Sequence, residues 1–264
     1  MSVPPEITAN HTPEKNFIKG LYYAGRDPAY VFLHGFTATP EEHRFLAADA
    51  HSAGNRVVVP LLPGHGTNPQ ELGRTRWSDW YRATEEAVLV AGGSRAPVIV
   101  VGQSLGGLLA LHLAVRRPEW VEALVLLAPA IFLRAWWLEK IAPVLPFLAW
   151  LRPYWPKGPS DIADPQARVA RVGYDSIPLR ALRELVALQR VVRAEVSCVR
   201  HRTLIVQSRL DHTCRWRGVE FLCQHLRGPV QTLVLEKSFH VVSLDCEREQ
   251  VASAIREFAA ALRG

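Results

Sequence analysis

The pentapeptide Gly102-Gln103-Ser104-Leu105-Gly106 sets a serine between two glycines. The β-branched run Val98-Ile99-Val100-Val101 precedes it and a helical stretch follows. In that context G-x-S-x-G places a serine at the tip of a tight strand-to-helix turn. The backbone there is strained, and the glycines keep strand and helix from colliding. The hydroxyl of Ser104 then stands clear of the sheet. The amide of Leu105, at the helix N-terminus, faces the point where negative charge develops during acyl transfer.

A serine hydroxyl is a weak nucleophile at neutral pH. It needs a base to take its proton and a carboxylate to orient that base. On this kind of turn the chain order is serine, acid, histidine. Asp211, in the loop after the expected strand Thr203–Gln207, fits the acid, and His240, after the last expected strand, fits the base. His212 stands in the wrong chain order to receive support from Asp211, His225 falls on a helix, and Asp245 follows the histidine; Glu236 is the alternative acid. The early loop His34-Gly35-Phe36-Thr37 offers the amide of Phe36 as a second oxyanion donor, with His34 bracing the loop.

Positioning these groups requires a sheet whose loops meet at one edge. Strands are expected at Tyr30–Leu33, Arg56–Pro60, Pro97–Val101, Ala123–Leu127, Thr203–Gln207 and Gln231–Leu235. Helices are expected at Glu41–Ala53, Trp77–Ala91, Leu105–Arg117, Cys214–His225 and Cys246–Leu262. The alternation implies an α/β fold with a mostly parallel central sheet. It breaks between Pro129 and Val199, where tryptophans and prolines concentrate. The expected organisation is therefore a core of 1–128 and 200–264 carrying a helical cap of 129–199, its aromatics lining an apolar pocket. The stretch from Pro13 to Pro28 reads as a lead-in hairpin.

Composition narrows the alternatives. The 264 residues carry a net charge of +6, but between Arg152 and Arg217 there are 13 Lys or Arg against 6 Asp or Glu, so the excess is local. The arginines from Arg180 to Arg193 alternate with leucines at helical spacing. They read as a solvated helix face, and no nucleic-acid partner is expected. The longest apolar segments, Ala123–Leu133 and Ile141–Leu151, are 11 residues each, too short to span a bilayer. The N-terminus lacks the pattern of a secretory signal, so a cytoplasmic monomer or weak homodimer without stable membrane insertion is expected. Cys198, Cys214, Cys223 and Cys246 lack C-x-x-C spacing and the ten histidines form no H-E-x-x-H cluster. Reduced thiols, no metal and no cofactor are expected.

Taken together, strand-His34-Gly35-Phe36-Thr37, Leu62-Pro63-Gly64-His65-Gly66, Gly102-Gln103-Ser104-Leu105-Gly106-Gly107, Asp211 and Phe239-His240 resemble the bacterial carboxylesterase and monoacylglycerol lipase group of the α/β-hydrolase fold. The resemblance implies Ser104 as nucleophile, His240 as general base and acid, Asp211 as orienting acid, and Phe36 and Leu105 as oxyanion amides. It implies a serine carboxylesterase acting on small esters, and the aromatic cap leads us to expect an apolar acyl chain of short to medium length with an uncharged alcohol. Monoacylglycerol hydrolysis is the rival activity, and a ligand receptor on the same fold is the non-enzymatic one. Within the cap, Gly173-Tyr174-Asp175 resembles a monoacylglycerol lipase segment whose acidic residue holds glycerol hydroxyls. Asp175 is thus a candidate substrate contact, or a helix cap, and Gln103 is a second candidate contact. No dense acidic cluster in the cap is present to hold the amine of a peptide substrate.

Overall fold

The computed structural model describes residues 20–92 and 96–263. Nine strands and ten helices are described. Seven strands form one sheet: β1 (Gly20–Tyr23), β2 (Arg26–Leu33), β3 (Asn55–Pro60), β4 (Val98–Gln103), β5 (Val121–Leu127), β8 (Arg202–Ser208) and β9 (Val230–Leu235). Their spatial order is β1-β3-β2-β4-β5-β8-β9, and all pairs are parallel except β1 with β3. Strands β6 (Tyr154–Pro156) and β7 (Ser176–Pro178) form a separate antiparallel pair.

The central strands read as unbroken apolar runs because both of their faces are buried, as in parallel sheets covered by crossover helices. Ala29, Val31 and Leu33 of β2 join the cluster on one face, while Tyr30 and Phe32 join the other. In β4 Val98 and Val100 part from Ile99 and Val101 in the same way. The first face is covered by α3 (Trp77–Ala91), α4 (Leu105–Arg116), α8 (Leu179–Glu195) and α9 (Arg217–His225). The second is covered by α1 (Arg44–Ser52) and α10 (Arg248–Ala260). Between β2 and β4 the strand order reverses direction, so the loops after these two strands leave toward opposite faces. A crevice for ligands opens there.

The remaining helices are α2 (Pro69–Leu72), α5 (Trp137–Ile141), α6 (Leu145–Leu151) and α7 (Pro165–Ala170). Several expected boundaries shift by local chemistry. The helix expected from Glu41 begins as a 3-10 turn, Pro40–His43, before α1. The helix expected from Cys214 starts at Arg217, because the amides of Thr213 and Cys214 are committed to the Asp211 carboxylate. Of the expected lead-in hairpin, 13–19 lie outside the described residues. Within them β1 pairs antiparallel with β3 and not with its chain neighbour β2. Inside the stretch 129–199, α8 packs on α4 and its Leu182, Leu185, Val186 and Leu188 join the core cluster of the first face, so this helix is shared with the core.

Candidate active site

The residues of the serine turn show why their types are needed. Ser104 has φ 54° and ψ −107°, a conformation that L-residues rarely adopt and that surrounding structure must enforce. A Cβ on Gly106 would lie 1.9 Å from the Leu33 carbonyl oxygen, and one on Gly102 would lie 2.2 Å from that of Gly106. The turn is pinned from outside as well. Ser104 N–H donates to the Leu127 carbonyl at 2.9 Å, and the Ser104 carbonyl accepts from Ala130 N–H at 3.2 Å.

Asp211 is buried after β8 and accepts four hydrogen bonds. Its Oδ1 receives the amides of Thr213 and Cys214, each at 2.7 Å. Its Oδ2 receives Gln207 Nε2 at 2.6 Å and His240 Nδ1 at 2.8 Å. Burial would raise this carboxyl, but the imidazolium charge, the His240 hydrogen bond and the two amides outweigh it and hold the pKa below the usual aspartate value. For His240 burial works downward, and the Asp211 charge and hydrogen bond prevail, lifting the imidazole well above 6.5. With Nδ1–H bound to Asp211, Nε2 is left as the basic nitrogen. The buried Cys214 thiol lies beside both groups, and burial pushes its pKa up, so it stays a neutral thiol.

The loop bearing His240 is held by acidic residues that spacing alone did not single out. The Asp161 carbonyl accepts the amides of His240 and Val241, each at 3.1 Å. The Asp161 carboxylate takes His212 N–H and Nδ1–H and the Thr213 hydroxyl, at 3.0, 2.8 and 2.8 Å. One residue of the stretch 129–199 thus clamps the loops of both Asp211 and His240. Asp245, set aside as an acid candidate, accepts the amides of Phe239, Ala163, Asp164 and Cys246 at 2.7 to 2.9 Å and joins the same two regions. Glu236, the alternative acid, is exposed; its amide donates to Glu247.

In the loop after β2, Thr37 holds φ 63°. Glu42 Oε2, almost fully buried, accepts Gly35 N–H at 2.6 Å and fixes the loop's approach to Ser104. His34 donates from Nδ1 to the Gly35 carbonyl and accepts Leu62 N–H at Nε2. Burial drives it down to about 4, so it is a neutral brace. Among the described residues, the amides of Phe36 and Leu105 donate to no protein acceptor.

Ser104, His240 and Phe36 line one cavity of about 410 Å³. Its wall is mainly aliphatic, from Leu138, Ile141, Leu145, Leu148, Leu182 and Leu185. Of the aromatics expected from the cap, Trp137 and Trp155 reach it, joined by Phe36 from the loop after β2; Phe147 and Trp150 are 63% and 75% exposed. The two candidate substrate contacts are placed elsewhere. Gln103 is fully buried off the cavity, and its Nε2 donates to the His240 carbonyl at 3.0 Å, because a residue ending a central strand points into the packed core. Asp175 is exposed and absent from the cavity wall. It caps no helix; its carbonyl accepts Lys157 N–H next to β7, and α8 has Pro178 at its N-cap.

A parallel sheet covered on both faces, with a strained serine at a strand-to-helix turn and a buried imidazole–carboxylate pair after the later strands, defines an α/β-hydrolase fold. The chain belongs to the family described as serine aminopeptidase S33, whose model matches residues 26–247. It is 30% identical over 239 residues to a thermostable monoacylglycerol lipase of Bacillus sp. (strain H-257), spanning 90% of this chain and 92% of that one. It is 26% identical to a carboxylesterase of Bacillus subtilis (strain 168), spanning 91% and 95%. A solved structure reported for the metagenome-derived lipolytic enzymes LipS and LipT superposes with a TM-score of 0.83 at 27% identity, over 92% of this chain and 96% of that one. The monoacylglycerol lipase of Paleococcus ferrophilus shares the fold, with a TM-score of 0.77 at 19% identity over 89% and 94% of the two chains. Among the described residues no helix is long and apolar enough to cross a membrane.

Proposed function

We propose that the protein is a serine carboxylesterase that cleaves esters through an acyl-serine intermediate. Ser104 Oγ attacks the ester carbonyl carbon as His240 Nε2 takes its proton, and the amides of Phe36 and Leu105 hold the oxyanion. His240 then gives that proton to the departing alkoxide, releasing the alcohol. A water molecule, deprotonated by His240, attacks the acyl carbon; the acid leaves and Ser104 recovers its proton. The observation that carries this reading is the Asp211–His240 pair. Its carboxylate has four donors and its imidazole opens on the cavity that holds Ser104.

A cavity of about 410 Å³ lies in the lower part of the range for small-molecule sites, which fits acyl chains of short to medium length. The stretch before α8 serves as the cap that supplies its aliphatic wall. The four unpaired cysteines fit a cytoplasmic setting, and a monomer or weak homodimer is the proposed state. Monoacylglycerol hydrolysis is the second reading, favoured by the 30% identity to a lipase of that name.

The test is covalent labelling with a fluorophosphonate, followed by turnover of nitrophenyl butanoate. Labelling and turnover that both vanish in Ser104→Ala support the enzyme. Folded wild-type protein that takes no label would point to a ligand receptor on this fold.

A further inference from the structure

The cavity wall carries two cations that the ester chemistry does not use. Lys157 and Arg171 both line it. They converge on the loop after β2. Lys157 Nζ donates to Thr37 Oγ1 at 2.7 Å, and the Thr37 carbonyl accepts Tyr174 N–H three residues beyond Arg171. Arg171 Nη1 donates to Ser160 Oγ at 3.1 Å, while its Nε is buried with no partner. Among the described residues neither cation has a carboxylate at salt-bridge distance.

The nearby acids are engaged elsewhere. Glu42 accepts the Gly35 amide, Asp161 holds His212 and Thr213, and Asp175 is exposed off the cavity wall. Both cations are half-buried, and a buried guanidinium N–H without a partner, such as Arg171 Nε, is costly unless an acceptor meets it. Arg and Lys together suit an oxyanion, the guanidinium through directed N–H groups and the ammonium as a point charge.

We propose that Lys157 and Arg171 form an anion subsite, so that the preferred ester carries a carboxylate or phosphate on its alcohol portion. The assignment to the alcohol follows from what the cations hold: Lys157 binds Thr37, next to Phe36, and Arg171 binds Ser160, next to the Asp161 whose carbonyl takes the His240 amide, while the aliphatic wall suits the acyl chain. It rests on the esterase reading above and replaces the uncharged alcohol expected from sequence. Lys157 itself supports it. Burial first, and Arg171 second, lower its pKa to about 7, against opposing charge from Glu42 and Asp175, and an anion between the two cations would restore its full charge. The same cations would oppose the ammonium of a peptide N-terminus, so an anionic ester fits this wall better than an aminopeptidase substrate.

The experiment compares kcat/KM for matched pairs. One pair is the butanoyl ester of 4-hydroxybutanoate against that of 4-hydroxybutanamide; another is butanoyl glycerol phosphate against butanoyl glycerol. A control pair moves the carboxylate to the acyl side. The expected preference for the anionic alcohol is about tenfold or more, as one charge-assisted contact supplies. Preference in the first pair identifies a carboxylate, in the second a phosphate. The ratio should fall toward one in Arg171→Gln and recover in Arg171→Lys. A ratio near one in wild type, a ratio unmoved by Arg171→Gln, or a preference confined to the acyl-side anion each overturns the proposal. Binding separates it from the esterase reading. Glycerol phosphate or 4-hydroxybutanoate should raise the Tm of Ser104→Ala protein but not of the same protein carrying Arg171→Gln, whether or not Ser104 is ever acylated. No rise with either compound counts against the subsite alone.

Discussion

Replacing Gln103 with leucine separates a positioning residue from a substrate contact. The Gln103 amide donates one hydrogen bond to the His240 carbonyl, which also receives Val242 N–H at 3.0 Å, while Gln103 Oε1 is buried without a partner. Leucine removes one bond worth about 1 kcal/mol. The carbonyl keeps its second donor and an unpaired oxygen disappears, so the net change in folding stability is expected within about 1 kcal/mol. The backbone at His240 stays anchored to Asp161, and its ring to Asp211, so the imidazole loosens without leaving the cavity that holds Ser104. Losing about 0.5 to 1 kcal/mol of transition-state stabilisation lowers kcat about two- to fivefold. KM should not change, because Gln103 does not reach the cavity. Steady-state kinetics on nitrophenyl butanoate, paired with urea unfolding, read both quantities. A raised KM with kcat intact would return Gln103 to the substrate site and refute the reasoning.

Three further outcomes are expected. Asp211→Asn leaves one oxygen for four donors and turns a proton toward His240 Nδ1. The basic nitrogen then faces away from Ser104, and kcat falls by about 10⁴ with KM little changed, measured with the same ester. The rising limb of kcat/KM against pH should lie above 6.5 in wild type, because Asp211 raises His240 and only the neutral imidazole takes the serine proton; it should move down in Asp211→Asn, in whatever activity remains. Burial holds His34 at about 4 and His43 at about 3. The unfolded chain therefore binds protons near 6.5 that the native protein refuses, and stability falls as pH drops from 6.5 toward 4, by up to about 1.4 kcal/mol per pH unit for each histidine. Urea midpoints that stay level over that interval would contradict the buried neutral state.

The sequence alone determined the α/β architecture and the order of its central strands along the chain, because strands buried on both faces must be apolar throughout. It also determined the serine turn: with a Cβ 1.9 Å from a carbonyl oxygen at position 106, the geometry leaves only glycine there, and that constraint is local enough to read. Asp211 and His240 were legible because each follows a strand whose apolar run announces it. Residues whose meaning comes from distant partners were not legible. Asp161 reads as one acid in a basic stretch until its carbonyl is seen to carry the amides of His240 and Val241. Gln103 adjoins the nucleophile in sequence, yet strand pleating turns it into the core. Lys157 and Arg171, fourteen positions apart, become a pair only when the chain between them folds back over the loop after β2. Charge is written in the sequence residue by residue, but whether a charge is paired depends on which segments pack together, and only the tertiary structure decides that.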